Sequence, residues 1–147
     1  MIISLRHLVR RTIESIGSHE PSASDAAWVR SLLTDEEHIL WDRLHPRDRR
    51  HSVGVARRFI QLEPTAPAPA VAGALLHDIG KVDAPSSVIV RILTTVCGPR
   101  TPAMRRLAEH EHRGLELLHQ VDAHPLTVAT ASGLGPWGTA LLQADHL

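Results

Sequence analysis

The sequence predicts an all-α fold, on three observations. Apolar residues recur at helical spacing in one segment after another. Proline, glycine and capping residues punctuate those segments, and no stretch alternates apolar with polar residues strongly enough to make a strand. No internal repeat is visible.

The elements follow in order. Residues 2–16 place Ile2, Leu5, Val9, Ile13 and Ile16 on one helical stripe, with arginines on other faces. That basic side suits a membrane surface or simply the solvated back of a core-facing helix. "GSHEPSAS" breaks the pattern, and Ser24 or Asp25 starts a short helix through Trp28 and Leu32. Thr34 with Glu37 three residues on is a capping-box pattern, opening a helix that runs to about Leu44. Pro46 suits a first helical turn, and the helix it opens reaches about Leu62, with His51, Val55, Phe59 and Leu62 on one stripe. "EPTAPAPA" is a connector. Residues 69–79 form an apolar, buried helix, which Gly80 ends as a C-terminal glycine commonly does.

A helix over 86–96 and the break "CGPRTP" come next. Another helix runs from Pro102 to about Gln120, with Leu107, His110, Gly114, Leu117 and Val121 on one face. "HPLTVATAS" reads as a short helix, "GLGPWG" as a turn and "TALLQADHL" as a last helix. Trp28, Trp41 and the leucines around them read as core that packs the first helices on the rest, with an oligomer face as the other choice.

The chain has 147 residues, enough for one domain with a sizeable core. Residues 1–45 are expected to pack as N-terminal helices on a core formed by 46–147. Sixteen basic residues balance sixteen acidic ones, so no global field draws the chain to a nucleic-acid polymer or anionic lipid. With so few aromatic residues a stacking surface for single strands is not expected either. No apolar run approaches the roughly 20 residues of a membrane span, and arginines interrupt the opening segment where a secretory signal would be apolar. A single cysteine, Cys97, excludes an internal disulfide and agrees with a reducing, cytoplasmic setting. It reads as a small buried residue.

Eleven histidines ask for an explanation. His7, His19, His38, His45, His112, His119 and His146 fall on outer faces, in loops or at the chain end. His51, His77 and His110 instead lie where the pattern is apolar. Each alone is explained by a backbone hydrogen bond in the core. Together with Asp78 they have the composition of a divalent-metal site, in which imidazoles and a carboxylate converge from separate helices. His77 and Asp78, adjacent on one helix, would sit about 100° apart around its axis and share an ion only over the edge between them.

The segments "RRHSVGVARRF", "ALLHDIGKVD" and "LLQADHL" resemble the HD-domain superfamily of metal-dependent phosphohydrolases, in which an early His, an "HD" doublet and a late Asp hold a metal. The N-terminal part is similar to that of small, stand-alone actinobacterial HD proteins. The resemblance covers most of the chain from about residue 47 and implies a helical bundle of the HD type, with His51, His77, Asp78 and Asp145 as ligands. The implied cofactor is one divalent transition metal ion: Mn, Fe, Co, Ni or Zn, with Mg as an alternative. "HEHRGLELL" is similar to the segment that carries a second-metal histidine in two-metal members, which gives His110 either a second ion or substrate. The paired histidines those members carry further on are absent, and His124 comes too early to replace them.

Such an ion lowers the pKa of a bound water and polarises a phosphoryl oxygen. Asp78 would orient that water or take its proton, giving it a catalytic role. Lys81 at the rim would hold a phosphate as a point charge or be a solvated lysine at a helix end. Arg50 and Arg113 are candidates for bidentate phosphate contacts. The expected activity is hydrolysis of a phosphomonoester or related bond in a small nucleotide-like substrate. Two other readings stay open: an inactive HD-type module that binds a nucleotide or partner as a sensor or scaffold, and a metal-free, pH-responsive histidine interface. The sequence leaves the oligomeric state open.

Overall fold

The computed structural model describes residues 19–83 and 102–147. The expected helices over 2–16 and 86–96, the "CGPRTP" break, His7 and Cys97 lie outside the described residues. Within them the chain is all-α: seven α-helices, one 3-10 turn and no strand. No helix among the described residues is long and apolar enough to cross a membrane.

Helix α1 (Ala23–Leu32) starts one or two residues before the sequence places it, because Ser22 is the cap and its hydroxyl accepts from the Asp25 amide. Helix α2 (Asp35–Asp42) opens on a complete capping box. Thr34 Oγ1 accepts from the Glu37 amide at 3.2 Å and Glu37 Oε2 accepts from the Thr34 amide at 3.0 Å. It ends at Asp42 rather than Leu44, which leaves His45 free to cap α3 (Pro46–Leu62) with Nδ1 accepting from the Arg47 amide.

Two ties hold the first helices on α3. Trp41, 2 % exposed, donates its indole N–H to Ser52 Oγ at 3.0 Å, which in turn donates to the Arg49 carbonyl. Arg57 donates to Asp25 at 2.9 Å and lies over the Trp28 ring at 3.8 Å from its centroid. The Asp25 carboxyl is held below its ordinary value by that hydrogen bond, then by the one from Ser22. Trp41 is core, and Trp28 is partly buried against it. His38 departs from the surface reading: it is half-buried, with its ring 5.8 Å from that of Trp41 and Nδ1 3.2 Å from Asp42.

Helix α4 (Ala68–Leu76) is the centre of the bundle, and every residue from Ala70 to Leu76 is buried. Full burial of large apolar side chains such as Leu75, Leu76 and Phe59 contributes roughly 1.5–3 kcal/mol each. It packs between α3 and α6 (Pro125–Ala131), and Gly73 is what lets α6 approach: a Cβ there would stand 2.7 Å from the Thr127 carbonyl oxygen. Thr127 Oγ1 donates across the same seam to the Pro69 carbonyl at 2.9 Å.

The helix stops at Leu76, not at residue 79. His77 is its C-cap, Asp78 follows in the turn, and Ile79–Asp83 form the 3-10 turn η1. Gly80 therefore does not act as a left-handed cap. The positive-φ glycines of the described residues are Gly133 and Gly135, and Gly80 has another reason to be small. It lies against α5 (Pro102–Gln120), where an added Cβ would meet the His110 carbonyl oxygen at 1.8 Å. After α6, Gly133 and Gly135 turn the chain into α7 (Gly138–His146), which packs along α3.

Candidate metal centre

Three elements bring three donors together: α3 supplies His51, the end of α4 supplies His77, and the last turn of α7 supplies Asp145. One donor atom from each lies within 4.8 Å of the other two. His51 Nε2 is 3.0 Å from Asp145 Oδ1, and His77 Nε2 is 3.5 Å from the same oxygen. The two rings tilt toward each other with centroids 5.7 Å apart.

His77 is the most constrained of the three. Its Nδ1 is 2.8 Å from the Ala74 carbonyl, which can only accept, so Nδ1 carries the proton and the neutral ring presents a lone pair at Nε2. That Nε2 is buried and has no hydrogen-bond partner. Its 3.5 and 3.6 Å approaches to the two carboxylates are ion-pair distances. A buried lone pair without a donor is costly, and a divalent cation between the imidazoles and the carboxylates would satisfy it. The donor set of two imidazoles with carboxylate oxygen suits a borderline transition metal. The residues present therefore fit the ion.

Asp145, two residues from the last position described, is held from both sides. Ala140, Leu141 and Ala144 bury the inner face of α7, and Arg58 Nε donates to the Ala144 carbonyl at 2.7 Å. Sequence reasoning did not single out Arg58 as an anchor, although it lies seven residues, or two turns, after His51 on the same side of α3.

Asp78 stands differently from the other three. Its Oδ2 is 3.6 Å from His77 Nε2 and 4.0 Å from His51 Nε2, but it is not a member of the converging group, and Lys81 is ion-paired to that same oxygen. The geometry of two neighbours on one helix does not apply, because both residues follow the helix end. His110 also stays outside the group; its main chain packs on Gly80. Arg113 donates to Glu116 on its own helix at 3.2 Å, and Arg50 is half-buried beside His51. His45 and His124 take part of the histidine surplus as N-caps, each followed by proline at the first helical position.

The titration of the centre follows from these contacts. Burial opposes the imidazolium of His77, but Asp145 and Asp78 outweigh it, so its pKa is raised above the ordinary 6.5. Burial likewise opposes the Asp78 carboxylate, and His77, Lys81 and His51 outweigh that, holding it below 3.8. The hydrogen bond from His51, and then the close approach of the His77 ring, hold Asp145 far below the same value.

In the ion-free protein the His77 contribution to stability is complete below about pH 6.5 and fades as pH rises through the raised folded value. The carboxylate contributions are present above 3.8 and fade as pH falls through the lowered values. With chelator present, thermal denaturation is therefore expected to show greatest stability between about pH 4 and 6.5 and a falling Tm above it. Affinity for an ion at this centre would run the other way. An ion must displace the His77 proton, so it should tighten by up to about tenfold per pH unit from pH 6 toward the raised value. Calorimetric Mn²⁺ titration at pH 6, 7 and 8 measures it.

Comparison with known proteins finds no match. No family model fits the chain, and no curated protein or solved structure is similar to it.

Proposed function

We propose that the chain is an HD-type metal-dependent phosphohydrolase with a single helical bundle, acting on a phosphomonoester in a small nucleotide-like substrate. The observation that carries this reading is the convergence of His51, His77 and Asp145, with His77 Nε2 buried and unpartnered at their centre. A divalent ion held there supplies an activated water and polarises the phosphoryl oxygen.

The chain's own residues do the rest. The Ala74 carbonyl fixes the tautomer and orientation of His77. Asp145 brings the negative charge that balances a cation, and His51 completes the set from the opposite helix. Asp78, within 4.0 Å of both imidazole Nε2 atoms, would orient the attacking water or take its proton at a carboxylate oxygen. Lys81 beside it presents an ammonium at 23 % exposure, a point charge for a phosphate oxygen.

Elemental analysis of the purified protein is expected to give about one transition metal ion per chain. A panel of nucleoside monophosphates and other phosphomonoesters, supplied with Mn²⁺, Co²⁺ or Ni²⁺, should include a substrate that releases phosphate. An ion-loaded chain that turns over nothing on that panel would instead be a nucleotide- or partner-binding module. One observation favours that second reading: His110 is outside the converging group, so the described residues offer no donor set for a second ion.

A further inference from the structure

Lys81 is paired with the oxygen of Asp78 that faces the candidate centre. Its ammonium is paired with Asp78 Oδ2, and that is also the oxygen facing both imidazoles, at 3.6 Å from His77 Nε2 and 4.0 Å from His51 Nε2. Both partners are mostly out of solvent, so water screens the pair far less than it would on the surface. The pairing is also local. Asp78 begins the turn that leads into η1 and Lys81 sits within η1, three residues on, so the ammonium reaches the carboxylate without any long-range closure.

A divalent ion and an ammonium on one carboxylate oxygen would stand a few ångströms apart and repel strongly in such surroundings. The two cations are therefore alternatives at Asp78. We infer that Lys81 is a built-in competitor of the divalent ion: it partners Asp78 while the centre is ion-free, and ion uptake draws Asp78 into the donor set by displacing the ammonium. The inference rests on the reading that His51, His77 and Asp145 hold an ion. Lys81 acts on the ion through Asp78 and in this respect is a positioning residue.

The test is calorimetric titration of the whole chain with Mn²⁺, comparing wild type, Lys81→Met, Lys81→Arg, Asp78→Asn and the Asp78→Asn/Lys81→Met pair, with circular dichroism to verify that each is folded. Lys81→Met is expected to bind Mn²⁺ about tenfold more tightly or better, and Lys81→Arg to stay within about threefold of wild type. The Lys81→Met gain should shrink below about threefold when Asp78 is already asparagine, since the effect passes through that carboxylate. A full gain kept in the Asp78→Asn background would mean general charge repulsion and overturn the inference, as would unchanged or weaker binding by Lys81→Met. If Asp78→Asn takes up no Mn²⁺ in either background, Asp78 is an indispensable ligand and the gain in the single Lys81→Met variant decides. A wild-type chain that takes up no Mn²⁺ removes the metal reading and this inference together, whereas uptake without a Lys81 effect removes this inference alone.

Discussion

Replacing His77 with alanine is expected to take metal content from about one ion per chain to near zero and to lower any metal-dependent phosphate release by on the order of 10³-fold or more. The size of the effect follows from the place of the side chain. His77 Nε2 is the buried donor without a protein partner, its ring is already oriented by the Ala74 carbonyl, and no neighbouring residue can offer a lone pair from the same position. The loss should not be a folding defect in disguise. The substitution does remove the Ala74 hydrogen bond and the attraction of the imidazolium to Asp145 and Asp78, so each variant is compared with its own ion-free Tm.

Ion-induced stabilisation separates the two explanations. Wild type gains RT ln(1 + [L]/Kd) from the ion, about 2.7 kcal/mol at a hundredfold excess over Kd. Its Tm should rise on adding Mn²⁺, whereas that of His77→Ala should stay where it was. Asp145→Asn should behave in the same way through loss of charge with little change of shape, and His119→Ala, at an exposed position on α5, should leave both Tm and uptake unchanged. A His77→Ala chain that still carries one ion and still gains Tm would show that the centre lies elsewhere.

The parts of the structure that could be read in advance are those where local chemistry decides. Pro46 and Pro102 mark the starts of α3 and α5 because a proline suits a first turn, and Thr34 with Glu37 marks α2 because both halves of the capping box lie within four residues. The end of α4 differs from the sequence reading because an apolar residue, Ile79, and a glycine follow the His77–Asp78 doublet and invite the helix to be extended through it, while the backbone leaves the α-helix at Leu76. Periodicity shows which residues are buried, not where hydrogen bonding changes from one helix type to another.

At the site, His51 and His77 were legible because each breaks an apolar pattern. Asp145 was not, since an aspartate in a terminal helix carries no local mark; only the resemblance pointed to it, and only the packing of α7 on α3, with Arg58 at the seam, brings it to the histidines. The caps made by His45 and His124 were missed although "HP" occurs at both. Asp78 with Lys81 three residues on was in plain view as a spacing. That Lys81 pairs with the very Asp78 oxygen that faces the imidazoles depends on the turn geometry, which the spacing does not contain.

Gly80→Ala is expected to be the most damaging small substitution outside the donor set. The added Cβ would lie 1.8 Å from the His110 carbonyl oxygen, 2.7 Å from its carbon and 2.9 Å from the Gly114 nitrogen. All three are backbone atoms of α5, so no side-chain rotation relieves the clash, and η1 and α5 must move apart. Overpacking of this kind costs about 3 kcal/mol, which for a chain of this size is a Tm lower by roughly 6–12 °C. Because η1 carries Lys81 and continues directly from His77 and Asp78, the shift should also weaken Mn²⁺ binding, by on the order of tenfold or more.

Two other glycines provide the scale. At Gly114 the tightest contact of an added Cβ is 3.3 Å, to the Gly80 nitrogen, so Gly114→Ala should cost only about 1 kcal/mol or less. At Gly54, inside α3, an added Cβ meets only the Arg58 guanidinium at 3.5 Å, and alanine should stabilise the helix by about 0.5–1 kcal/mol. Thermal melts of the three variants should therefore rank Gly54→Ala above wild type, Gly114→Ala slightly below it and Gly80→Ala well below. A Gly80→Ala chain that melts with wild type would mean that the contact between η1 and α5 is looser than these distances require, and the turn that follows the His77–Asp78 pair would then be free to move.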